Sequence, residues 1–246
     1  MKPKVLIFLT FLFLSSSTFS MKSILLIGDS HTAGYFGKKL HSYIVERNHD
    51  LVTLGHASSA PFHWINQKEY YLSGGVYNQA TVSNVDYNHP NPPSHWSKKV
   101  NVPKFTPLLE NMIYHSKWRS KIQNSIIPEF VIIALGANDL GFLGEVGSKK
   151  YNNHKKYAQS MVEFLKDKSI PCVWIGPPSG TKKDPIKNNI VYKYLNETVS
   201  SYCPLYDSRK YIAECPDGRH FNCKSSFPRA NEWARDVSRF VSLYVH

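Results

Sequence analysis

The sequence predicts an α/β protein built on a parallel sheet with helices on both faces. Three observations carry this. Short apolar runs without polar alternation recur at Ser23–Ile27, Leu51–Leu54, Phe130–Leu135, Cys172–Ile175 and Leu205–Asp207. Such runs suit strands buried on both faces, as in parallel sheets. Segments with helical apolar spacing separate most of them. Small, turn-forming residues follow the first four: Gly28-Asp29-Ser30, Gly55, Gly136-Ala137-Asn138-Asp139 and Gly176-Pro177-Pro178.

The elements read as follows. After strand one, Tyr35, Phe36, Leu40, Tyr43 and Ile44 mark a helix face. Strand two is closed by Gly55. The stretch His56–Phe105 then breaks the rhythm: it holds Trp64, Tyr70, Tyr71, Tyr77, Tyr87 and Trp96 and shows no convincing period. It reads as a long aromatic-rich insertion, and loops of that length are functional or disordered more often than not. A crossover helix is expected from Thr106-Pro107, an N-cap followed by proline at the first helical position, with Leu108, Leu109, Met112 and Ile113 buried. Ala158, Met161, Val162 and Leu165 line the helix after strand three. Ile186, Ile190, Val191, Tyr194 and Leu195 line the next, and Trp233, Val237, Phe240, Val241 and Tyr244 the last. Neither repeats nor a linker divide the chain, so residues 21–246 are expected to form one domain.

Residues 1–20 read as a secretory signal peptide. Lys2 and Lys4 precede an apolar run, Val5–Leu14, broken only by Thr10, and Thr18-Phe19-Ser20 offers small residues for cleavage. The run is about half of what a spanning helix needs, so no stable membrane anchor is expected after cleavage. The formal charge is +12, and about +10 without Lys2 and Lys4. This favours anionic partners, and export argues against nucleic acid. Four cysteines in an exported chain suggest two disulfides with three possible connectivities. Cys172 and Cys203 each open a predicted strand, and Cys215 and Cys223 bracket Asp217 and His220, so Cys172–Cys203 with Cys215–Cys223 is the favoured pairing. With no CxxC motif and no His/Cys cluster, neither a metal nor a cofactor is expected.

In parallel α/β sheets ligands bind beyond the carboxyl ends of the strands, and the candidate chemistry falls on that rim. Ser30 lies on a tight strand-to-helix turn, where backbone N–H groups can face an oxyanion. Its alternative role, or that of Asp29, is to cap the helix. Asp217-Gly218-Arg219-His220 puts a carboxylate three residues before an imidazole, so that the acid can hold one ring nitrogen while the other faces a serine. Asn138 follows a strand and can present an amide donor, or stabilise a turn.

These blocks together resemble those of the SGNH (GDSL-like) hydrolases. Gly28-Asp29-Ser30-His31 resembles their first block, Gly55 the second-block glycine, Gly136-Ala137-Asn138-Asp139 the G-x-N-D block and Asp217-Gly218-Arg219-His220 the D-x-x-H block, in family order and spanning nearly all of the chain from Ser23. The resemblance implies a three-layer α/β/α fold with a five-stranded parallel sheet (SGNH/flavodoxin-like). It implies Ser30 as nucleophile, His220 as base, Asp217 as its orienting acid, and an oxyanion hole from the Ser30 and Gly55 N–H groups and the Asn138 amide. His31 departs from the usual leucine and could pack, hydrogen-bond locally or line the cleft; Asp139 reads as structural. The implied activity is ester hydrolysis by acyl transfer. Location, charge and aromatics suggest O-acetyl groups on a cell-wall or extracellular glycan, an acylated substrate that a basic surface would favour in anionic form. Three other readings stay open on sequence: a glycan O-acetyltransferase with the same triad, a lipase or thioesterase, and a glycan-binding module without catalysis.

Overall fold

A computed structural model describes residues 22–47, 49–66, 71–79, 99–101, 128–141, 143–180 and 185–245. The signal-peptide segment, the crossover helix at Thr106-Pro107, and Tyr70, Tyr87 and Trp96 lie outside the described residues.

Five strands, β1 (Ser23–Gly28), β2 (Asp50–His56), β5 (Phe130–Ala134), β6 (Cys172–Ile175) and β8 (Leu205–Tyr206), pair in parallel in the order β2-β1-β5-β6-β8. Two more, β3 (Tyr71–Gln79) and β4 (Lys99–Asn101), add antiparallel strands beyond β2. Both fall in the stretch that showed no period. The β3 sequence YLSGGVYNQ carries a Gly-Gly pair and polar residues, which erase the apolar signal of a buried strand. A short pair, β7 (Ser179–Gly180) with β9 (Ile212–Ala213), stands apart from the main sheet.

The central strands are apolar on both faces because both are covered. Leu25 and Ile27 of β1, Val131 and Ile133 of β5 and Trp174 of β6 point into one core. Helices α4 (Lys149–Asp167) and α5 (Pro185–Thr198) close that core with Ala158, Met161, Val162, Leu165, Val191, Tyr194 and Leu195. Ile24, Leu26, Phe130, Ile132, Val173 and Ile175 point the other way, against α2 (Tyr35–Val45) and α6 (Phe227–Val241). This is the three-layer α/β/α arrangement. Two expected helix-face residues are corrected: Ile186 is 71% exposed in the first turn of α5, and Tyr244 lies beyond the end of α6, 38% exposed. Ile186 sits before the buried stripe is established, and Tyr244 has lost the helical spacing that would turn it inward. No helix among the described residues is long and apolar enough to cross a membrane.

Cys172 is bonded to Cys203 and Cys215 to Cys223. The first bridge ties β6 to the segment entering its neighbour β8, across a sequence separation of 31. Loop-closure entropy gives such a link about 3.5–4 kcal/mol of stabilisation. The Cys172→Ala/Cys203→Ala double variant is expected to lose most of that in the free energy of urea unfolding.

Candidate active site

The turn after β1 is shaped by close approach. A Cβ on Gly28 would lie 1.9 Å from Thr32 Oγ1 and 2.8 Å from the Ala134 carbonyl, so the short helix α1 (Ser30–Ala33) can sit over the strand end only because residue 28 is glycine. Asp29 caps α1 by accepting the His31 N–H at 2.9 Å. The capping role therefore belongs to Asp29, and the Ser30 hydroxyl points elsewhere, 2.9 Å from His220 Nε2.

His220 arrives from the loop between β9 and α6. Asp217 bends this loop back on itself: Oδ1 accepts the N–H groups of Arg219 at 2.9 Å and His220 at 3.0 Å, and Oδ2 lies 2.6 Å from His220 Nδ1. The carboxylate accepts only, so Nδ1 carries the hydrogen and Nε2 is left to accept from the Ser30 hydroxyl. Burial pushes the Asp217 carboxyl up, but the bonds from the Arg219 N–H and from the His220 ring and N–H outweigh it and bring it down to about 2. A carboxylate lowered from 3.8 stabilises the folded state above about pH 4, and that contribution disappears as pH falls through about 2. The gap in melting temperature between the parent protein and Asp217→Asn is accordingly expected to be open at neutral pH and to close between about pH 4 and pH 2.

Two further features hold this loop against the serine. The Cys215–Cys223 disulfide brackets it. Asn222, which sequence reasoning missed, accepts the Tyr35 N–H at 3.2 Å, at the start of α2. Gly34 makes room for it, since a Cβ there would lie 2.3 Å from Asn222 Oδ1. Behind the loop, Phe36 of α2 stacks on Trp233 of α6 with ring centres 3.5 Å apart. His31 packs among the rings behind the site. It is buried, its ring 5.6 Å from that of Trp233, 5.9 Å from Phe221 and 5.5 Å from His220.

Asn138 stands on the turn leaving β5. Gly136 opens that turn at φ +128°, in the region that favours glycine. The Asn138 amide donates to the Ser59 carbonyl at 2.8 Å. Beside it, Asp139 is fully buried, with His154 Nδ1 2.8 Å from one carboxylate oxygen and the Tyr194 hydroxyl on the other. Asp139 thus fastens the turn to α4 and α5, the structural part the sequence assigned to it.

Gly55 needs a correction of place. It lies inside β2, one residue before its end, in register with Gly28 of β1 on one side and Gly75 of β3 on the other. The unforeseen strand β3 extends β2 past the point where apolar residues stop. Gly55 is buried, and a Cβ on it would lie 2.5 Å from Ala33 N, so its missing side chain admits α1. The backbone leaves the sheet just beyond, where Ser58 turns at φ 65°.

Trp64, one of the aromatics of the insertion, is fully buried in α3 (Pro61–Ile65) and packs edge-on to His56. Among the described residues no group of three or more His, Cys, Asp or Glu side chains could hold a metal ion.

No protein-family model matches the chain, and no curated protein sequence does. Solved structures do. A GDSL-like lipase from Bacteroides thetaiotaomicron matches with a TM-score of 0.50 at 12% identity, over 89% of each chain. A psychrotrophic esterase from Pseudoalteromonas matches with 0.48 at 12% identity, over 90% of this chain and 99% of that one. An acetylxylan esterase from Geobacillus stearothermophilus gives 0.46 at 12%, over 88% and 93%. At such identities the likeness is one of fold alone, a fold shared with the GDSL-like lipase.

Proposed function

We infer that this chain is an exported serine esterase that cleaves ester bonds by acyl transfer, with O-acetyl groups on a cell-wall or extracellular glycan as its substrate. The observation that carries the reading is the relay in which Ser30 Oγ stands 2.9 Å from one nitrogen of His220 while Asp217 holds the other at 2.6 Å. Serine becomes an effective nucleophile when a positioned base takes its proton.

In the first step His220 Nε2 takes the Ser30 proton as Oγ attacks the ester carbonyl. The tetrahedral oxyanion is met by the Ser30 N–H, at the first position of α1, by the Gly55 N–H and by the Asn138 amide. Gly55 serves this arrangement through its absent side chain, which lets α1 approach. His220 then returns the proton to the leaving alkoxide, and an acyl-Ser30 ester remains. Water, deprotonated by the same imidazole, releases the acid. Asp217 stays ionised throughout and stabilises the imidazolium.

Export through cleavage of residues 1–20, leaving one domain over 21–246, agrees with the two disulfides. The glycan part rests on the basic balance of the chain, +12 overall, which favours an anionic polymer, and on export, read from residues 1–20. Acetate release from acetylated xylan, acetylated peptidoglycan and acyl lipids, each with and without an acceptor glycan, tests it. Release from a glycan independent of acceptor supports the reading. Acceptor-dependent acetyl transfer would make the protein a transferase, and preference for long acyl chains a lipase.

A further inference from the structure

Ser59 is buried to 0% exposure and spends all three of its polar groups on the parts around Ser30. Its N–H donates to the His56 carbonyl at 3.0 Å, tying it to the end of β2. Its hydroxyl donates to the Gly28 carbonyl at 3.1 Å, two residues before Ser30. Its own carbonyl accepts the Asn138 amide at 2.8 Å. A carbonyl cannot donate, so this last contact also fixes which way the Asn138 amide faces, with nitrogen toward Ser59. A primary amide has two hydrogens in one plane. With one bound to Ser59, the direction of the other is set.

We propose that Ser59 is a positioning residue for the reaction: it aims the remaining Asn138 hydrogen and, through its hydroxyl, locks that aim to the turn carrying the nucleophile. This rests on the esterase reading above. The nucleophile and the amide donor stand on turns after different strands, β1 and β5, and oxyanion stabilisation depends on their relative placement. A bridge from the Gly28 carbonyl to the Asn138 amide through one residue holds that relation. Small misplacements of such groups cost large factors in rate. Removing the hydroxyl frees the Ser59 peptide from Gly28 while leaving substrate contacts untouched, so the loss belongs in kcat.

The test is a double-mutant cycle on p-nitrophenyl acetate with Ser59→Ala, Asn138→Ala and both together, each checked for folding by thermal unfolding. Ser59→Ala is expected to lower kcat on the order of tenfold with KM within about twofold. In the Asn138→Ala background it should change kcat by less than about twofold, because the group it aims is gone. An equal loss in both backgrounds, or an unchanged kcat in folded Ser59→Ala, would overturn the proposal. If the alanine variant does not fold, Ser59→Cys, near in size and a weaker donor, takes its place in the cycle with the same expectations in direction. Ser30→Ala separates the two layers: retained hydrolysis there defeats the esterase reading itself, whereas lost hydrolysis with an additive Ser59 effect defeats only this inference.

Discussion

Ser30→Ala is expected to keep the fold and to lower kcat for p-nitrophenyl acetate by about 10⁴-fold or more. The hydroxyl is half-buried at the first position of α1, and its bond in the described structure goes to His220, so its loss leaves the core untouched. His220→Ala should cost a similar factor, since either change removes the proton transfer as a whole. The double variant should be hardly worse than either single one, because groups that act as a unit are not additive. Steady-state kinetics on the three proteins, with circular dichroism to confirm folding, check this. Two independent losses that multiply would mean that the two side chains do not act in one step.

Asn138→Ala carries the second largest effect, a fall in kcat of about 10²–10³. The amide is the side-chain donor held at the rim by Ser59, and an alanine offers the oxyanion nothing in return. Asn138→Asp is the sharper variant. It keeps size and shape but replaces both amide hydrogens by an acceptor, which would face the Ser59 carbonyl and the developing negative charge alike. Activity should be at least as low as in the alanine variant. If KM rose while kcat stayed constant, the amide would bind substrate and transition state equally.

The layers of the fold were legible because both sheet faces are covered. Runs such as Phe130–Leu135, apolar at every position, leave a parallel sheet between helices as the economical solution. Strands β3 and β4 were not, because Gly74, Gly75 and Asn78 give no period. That omission moved Gly55 as well: its apolar run ends at Leu54, but pairing with β3 carries the strand to His56. At the rim, Asp217 and His220 could be singled out because a carboxylate and an imidazole three residues apart carry chemistry in their side chains. Ser59 and Asn222 could not. Ser59 meets Asn138 through a backbone carbonyl, which every residue has, and Asn222 caps α2 across a gap of 187 positions. The burial of Trp64 likewise followed from helix α3, which no spacing in the sequence announced.

Every step of the proposed reaction depends on Ser30 acting as the nucleophile, activated by His220. Labelling the folded protein with an alkyl fluorophosphonate, followed by intact mass and peptide mapping, tests it most directly, because an activated serine forms a covalent adduct that an ordinary one does not. A single adduct is expected on the peptide containing Ser30, formed together with loss of esterase activity and absent from Ser30→Ala and His220→Ala. An adduct on another residue that accompanies the loss of activity, with Ser30 unmodified, would contradict it.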